Sequence, residues 1–206
     1  MKIYTEEFGL QTYVENGVRS ARSKGKIALF QPLTLVDLVV YFKPGVEIQR
    51  ISEIKCTHPF YSIPTDIKKM TLGMFITEIL VLTLREHTSN PALFHFLQEA
   101  LLFLEEHDEQ TENFHLFFLM SLSAYLGFGP ETARDIRMQL KEHSMVVSTG
   151  EEAVLQKILE MPFGARLDIT RSQRMTALDQ LVWFYRANLD SFTGARSVQV
   201  LKEVLE

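Results

Sequence analysis

Apolar and polar residues alternate with a period near two up to about residue 60, and from there to the end of the chain the period is helical. In the first part, Lys2-Ile3-Tyr4 and Leu10 to Val14 flank Thr5-Glu6-Glu7-Phe8-Gly9, with Gly9 able to take the positive φ of a hairpin loop. Ile27 to Phe30 and Thr34 to Phe42 read as further strands. Lys43-Pro44-Gly45 then turns the chain into Val46 to Cys56. In that strand Val46 and Ile48 alternate but Ile51 and Ile54 break the period, which predicts a bulge. Short strands joined by tight turns predict a small antiparallel barrel or sheet.

Beyond His58-Pro59 the pattern predicts helices only. Asp66 to Glu86 is apolar on nearly every side and should be central. Asn90 and Pro91 form an N-cap and first-turn pair for a helix that lines up Leu93, Phe94, Leu97, Leu101 and Leu104. Asn113 to Leu126 follows, stopped by Gly127 and Gly129-Pro130, and then a more polar helix from Glu131 to His143. A short helix from Thr149 to Met161 ends at Pro162-Phe163-Gly164. Thr170 to Leu189 sets Leu178, Leu181, Val182 and Tyr185 on one face, and Arg196 to Leu205 buries Val198, Leu201 and Leu205. The class is therefore α+β: a β module over residues 1–60, then an all-α domain over residues 61–206.

Charge narrows the possible partners. A net charge of −5 argues against coating nucleic acid with the whole surface, so any such binding must be local and weakened by salt. One place suits it. Between Gly17 and Lys26 stand Arg19, Arg22, Lys24 and Lys26 with no acid among them. Cations there would track phosphates while Tyr13, Phe30 and Tyr41 on the adjoining strands stack on bases. A solvated surface hairpin is the other reading of the same residues. Arg166, Arg171 and Arg174 form a second basic cluster, fit for DNA or an acidic peptide, or the ordinary wet flank of a helix.

Cys56 is the only cysteine, which excludes disulfides within the chain and cysteine-cluster zinc sites and suggests a reducing compartment. Glu6 and Glu7 interrupt any secretory signal, and Leu72 to Leu84 is shorter than the ~20 residues a bilayer demands. The expected location is the cytoplasm. Candidate chemistry is thin. His95 with Glu99, and His115 near Glu112, could in principle hold a metal, but there is no His-x-x-x-His. No phosphate-cradling glycine loop and no nucleophile elbow occur. Cys56 and His58 could form a thiolate pair, or Cys56 could be a small buried or edge residue, and Phe114, Phe117 and Phe118 could line a groove or a core. No catalytic residue, metal or cofactor is predicted, and no enzyme.

Three stretches then bear on family: Tyr4-Thr5-Glu6-Glu7-Phe8-Gly9, Gly17-Val18-Arg19 through Lys26, and Leu29-Phe30-Gln31-Pro32-Leu33-Thr34-Leu35. With Ile51-Ser52-Glu53-Ile54, Tyr61-Ser62-Ile63, Ala124-Tyr125-Leu126-Gly127-Phe128, Leu181 to Arg186 and Ser197 to Leu205, they resemble the bacterial recombination mediator family RecO. The likeness is patchy but collinear over most of the chain. It implies an N-terminal OB-fold, a C-terminal helical domain, and binding and annealing of single-stranded DNA without catalysis. The implied partners are the single-stranded DNA-binding protein SSB, RecR, and indirectly RecA.

Two departures stand beside the likeness. Family members usually carry a further strand before the segment matching Tyr4, so the barrel here is expected to be open at one edge unless the start is misassigned. Many also carry a zinc site after the Leu-Gly-Phe helix end, for which this chain lacks the cysteines. For the acidic SSB tail, Arg134 and Arg137 beside Met138, and Lys68 and Lys69, are the candidate receptors. The rival to DNA binding is a non-enzymatic adaptor whose β module grips a peptide or another subunit.

Overall fold

The first alternating segments form a hairpin in the computed structural model, which describes residues 1–15, 26–85, 88–108 and 111–205. Strand β1 (Lys2–Thr5) pairs antiparallel with β2 (Gly9–Val14), and Gly9 closes the turn at φ 62°. The Thr5 hydroxyl donates to the Gly9 carbonyl and accepts from the Phe8 amide, so the loop satisfies its own polar groups. Strand β3 (Leu35–Tyr41) pairs antiparallel with β4 (Ile48–His58) through a turn in which Gly45 takes φ 78°. The Gln49 side chain locks this turn, accepting from the Lys43 amide and donating to the carbonyls of Lys43 and Val46.

The sheet order is β1-β2-β4-β3, and β2 lies parallel to β4. The expected bulge is present. Val40 faces Ile51 and Val39 faces Glu53, so Ser52 is the extra residue on β4. Thr57 is skipped in the same way between Cys56 and His58. Strand β4 is flanked on both sides only at Ile48 to Arg50, where β2 joins it; Cys56 lies beyond that stretch and is paired with β3 alone, at Val36. A correction concerns Ile27 to Phe30, expected as a strand. Lys26–Phe30 is a 3-10 helix, continued by turns in which the Gln31 amide donates to Ala28 and the Thr34 amide to Gln31. Pro32 offers no amide to a ladder, and Leu33 sits at φ 65°, so this stretch turns rather than extends.

Seven α-helices follow among the described residues: α1 (Ile67–Thr83), α2 (Pro91–Glu106), α3 (Phe114–Tyr125), α4 (Ala133–Glu142), α5 (Thr149–Glu160), α6 (Arg171–Asn188) and α7 (Ser197–Val204). The chain forms two compact units, one of Met1–Tyr61 with Leu84–Leu101, the other of Ser62–Thr83 with Leu102–Glu206. In the first, Tyr4 stacks on Phe94 with ring centroids 6.5 Å apart, and the Ser89 hydroxyl donates to the Glu6 carbonyl.

The second unit is built round α3, in which Phe114, Leu116, Phe117, Phe118, Leu119 and Leu122 are all buried. That settles the three phenylalanines as core rather than groove. The Tyr185 hydroxyl of α6 donates to the Leu119 carbonyl at 2.7 Å, and α1 buries Leu72, Phe75, Ile76 and Ile79. Gly164, at φ 74°, lies directly against the Phe103 ring, where a Cβ would collide. Serine and threonine caps open α5 and α6: the Ser148 and Thr170 hydroxyls accept from the amides of Glu151 and Gln173, whose side chains reach back to the capping residues' amides.

Candidate nucleic-acid interface

Strand β4 carries Arg50 between two neighbours: the register sets it opposite Val14 of β2 and opposite Tyr41 of β3. Directly opposed residues share a face of a sheet, so Val14, Arg50 and Tyr41 form one row across three strands. All three are exposed, Tyr41 at 62%. A flat ring next to an exposed guanidinium is a combination that can stack on a base and neutralise a phosphate. Further along the same strands Val39 stands opposite Glu53 and Asp37 opposite Lys55, whereas Arg50 is not set directly opposite a carboxylate on either neighbour. Exposed Phe42, next to Tyr41, stacks on Phe8 with centroids 4.6 Å apart. Neither Arg50 nor Phe42 was among the residues expected from sequence. Arg50 follows Ile48 at the strand period, and that alternation is the signal that could have found it.

Tyr13 must be withdrawn as a stacking residue. Its neighbours across the strand and beyond, Gln49 and Ile51, are buried, and Tyr13 itself is 2% exposed because it points to the inner face. Burial raises its phenol pKa, with the Thr5 hydrogen bond opposing and the Glu7 charge adding. Phe30 is half-buried in the 3-10 helix. Arg19, Arg22 and Lys24 lie outside the described residues, and Lys26 opens that same helix.

The second unit redistributes the other basic candidates. Arg166 and Arg171 are exposed, but Arg174 is buried. Its Nε donates to Asn113 Oδ1 at 2.9 Å and its Nη2 to Glu112 Oε2 at 3.0 Å, which ties α6 to the turn before α3. It is a structural clamp rather than a ligand contact. Lys69 is likewise withdrawn as a tail receptor. At 2% exposure its Nζ donates to the Glu105 carbonyl at 2.8 Å and pairs with Asp108 at 2.6 Å. The hydrogen bond and charge of Lys69 hold the Asp108 carboxyl below its usual pKa. Lys68 is half-buried, and Arg137 is paired with Glu152 at 2.9 Å. Arg134 and Met138, one turn apart on α4, are both exposed.

Family models cover almost the whole chain. The family described as Recombination protein O N terminal matches residues 1–60, and Recombination protein O C terminal matches residues 64–196. The chain belongs to the RecO family. A DNA repair protein RecO from Flavobacterium johnsoniae is 34% identical over 215 residues, spanning 99% of this chain and 90% of that protein. The protein of the same name from Bacteroides fragilis is 31% identical, over 100% of this chain and 91% of its own length.

No zinc-binding cysteine set exists in this RecO chain, since Cys56 is alone. No group of three metal-binding side chains comes together among the described residues. The histidines considered for such a site are placed otherwise. His95 pairs with Glu6 at 3.2 Å. Glu112 and His115 stand three residues apart, a spacing that can present both to one ligand. Here Glu112 turns to Arg174, and His115 is fully buried with no hydrogen-bond partner on either ring nitrogen among the described residues.

Proposed function

We propose that this chain acts in DNA repair as a mediator that binds and anneals single-stranded DNA and helps load RecA onto SSB-coated DNA, without catalysis of its own. Its working compartment is the cytoplasm and its protein partners are SSB and RecR. Membership of a family whose members are named for DNA repair supports the DNA link. The observation that carries direct DNA contact is the exposed row of Tyr41 and Arg50 on the first unit. Tyr41 would stack on a base, and Arg50 with Arg19, Arg22, Lys24 and Lys26 would neutralise phosphates. Arg134 beside Met138 offers the acidic, apolar SSB tail a cation next to an apolar contact.

Anisotropy of a labelled oligothymidylate, titrated at several salt concentrations, tests this reading. Tyr41→Ala is expected to weaken binding by about tenfold, in line with the worth of one stacked base. Replacing Arg19, Arg22, Lys24 and Lys26 by Ala should lower the slope of log K against log[salt] by ~0.7 for each phosphate no longer neutralised. An SSB-tail peptide should bind the intact chain at low salt and lose that binding on Arg134→Glu. An oligonucleotide that does not bind at low salt would return the β module to the adaptor reading.

A further inference from the structure

Helix α6 exposes one large apolar side chain among its described residues, Trp183, which is 37% exposed. It is also the only tryptophan in the chain. The guanidinium carbon of Arg186, one turn on, lies 4.1 Å from the centroid of its ring. The exposed α6 residues one turn to either side of it, Asp179 and Arg186, are both charged. Asp179, one turn back, is held by Lys202 of α7, whose Nζ reaches both carboxylate oxygens at 2.6 Å. Asp190 lies exposed beyond the helix end.

An apolar docking patch would surround the indole with further exposed aliphatic side chains, and α6 supplies none among its described residues. What it does supply is a flat π surface with a cation stacked on it. Asp179, the one acid of α6, is paired with Lys202, which leaves Asp190 beyond the helix end as the acid nearest in sequence to Arg186. From this geometry we infer that Trp183 and Arg186 form a binding site on the helical unit for one nucleotide of single-stranded nucleic acid. The base stacks on the indole and the adjoining phosphate pairs with Arg186. Indole is the largest aromatic surface a side chain offers, and stacking of this kind accepts any base because each has a π face. This site rests on the DNA-binding reading above but is separate from Tyr41 and Arg50, which lie in the other compact unit.

The lone tryptophan makes the test direct. The intact chain is titrated with unlabelled oligothymidylate while indole fluorescence is followed, and in parallel with a labelled copy followed by anisotropy. Fluorescence should be quenched in step with the anisotropy rise and recover on adding salt. Trp183→Ala should weaken binding about tenfold. Arg186→Ala should reduce the salt slope by ~0.7, the share of one phosphate. Arg186→Ala changes a surface group and should melt with the parent, whereas Trp183→Ala gives up the covered part of its ring and should melt lower, so both affinities are read well below the melt. Full anisotropy change with unquenched fluorescence, or unchanged affinity in Trp183→Ala, overturns this site and leaves the Tyr41 interface standing. Quenching by a protein partner but not by the oligonucleotide would also overturn it. No anisotropy change at low salt removes both sites together.

Discussion

Single residues were legible from sequence where one face of an element is plainly wet, and illegible where a polar group is carried inward. Tyr41 and Arg134 are exposed as expected, whereas Tyr13, Lys69 and Arg174 are buried. For the two cations the reason is the same. Each finds partners far along the chain, Glu105 and Asp108 for Lys69 and Glu112 and Asn113 for Arg174, and no local pattern announces them. His115 is the sharper case, since it has no such partners among the described residues. Burial, helped by the nearby Arg174 charge, pushes its pKa from 6.5 down to about 3. The unfolded chain therefore binds a proton between these two values that the folded chain refuses. The stability this neutral histidine permits is complete above pH 6.5 and is lost as pH falls towards 3, at about 1.4 kcal/mol per pH unit. His115→Phe keeps a ring against Phe75, whose edge contact it makes at 6.4 Å, and has nothing to titrate. Urea midpoints between pH 7 and pH 4.5 should fall more steeply for the parent than for this variant. Parallel curves would show that His115 does not titrate on unfolding.

At the level of elements, the helices were readable because most of their ends are marked locally. Asn90 with Pro91, Ser148 with Glu151 and Gly127 at φ 86° each stand within a few residues of the end they define. Residues 26–30 misled because an apolar run of that length fits a strand as well as a turn of helix. The start of α7 is not marked in its own sequence at all. Arg196 occupies the N-cap position and makes no side-chain cap. Glu78 of α1 supplies it instead, one carboxylate oxygen accepting from the Arg196 amide at 2.9 Å and the other from the Ser197 amide at 2.8 Å and the Ser197 hydroxyl. Burial pushes the Glu78 carboxyl up, but the Ser197 hydroxyl, the two amides and the Arg196 charge outweigh it, so its pKa is lowered. Glu78→Gln should cost about 1–2 kcal/mol, the usual worth of an N-cap hydrogen bonded to a charged group. The loss should be local first, with amide exchange of residues 197–204 quickening more than that of α3. If exchange in α7 is unchanged, the cap is not what holds that helix down. Because the folded pKa is depressed, the parent's advantage over Glu78→Gln should be present above the usual carboxylate range and vanish as pH falls below it.

The whole molecule shows what a linear reading passes over. A change of period near residue 60 separates strands from helices, and it was readable in the sequence because periodicity is a local property. Compactness is not local: the unit that holds the sheet also takes in Leu84–Leu101. Within Met1–Tyr61 the only buried apolar side chains among the described residues are Tyr13 and Ile51. Leu84–Leu101 adds buried Leu93, Phe96, Leu97 and Ala100 to the same unit, with the Tyr4–Phe94 stack and the His95–Glu6 pair. A sheet of four strands with two buried apolar residues among the described ones falls well short of what a domain of about 60 residues needs to fold alone. A fragment of residues 1–61 is therefore expected to lack a cooperative thermal transition and to exchange its strand amides within the dead time of the measurement. In the full chain the same amides should be protected, most of all on the internal strands β2 and β4. The converse result would be dispersed amide signals and a sharp melt from residues 1–61 alone. It would mean that the strands carry their own core and that the segment 84–101 is an accessory to the sheet rather than part of what makes it fold.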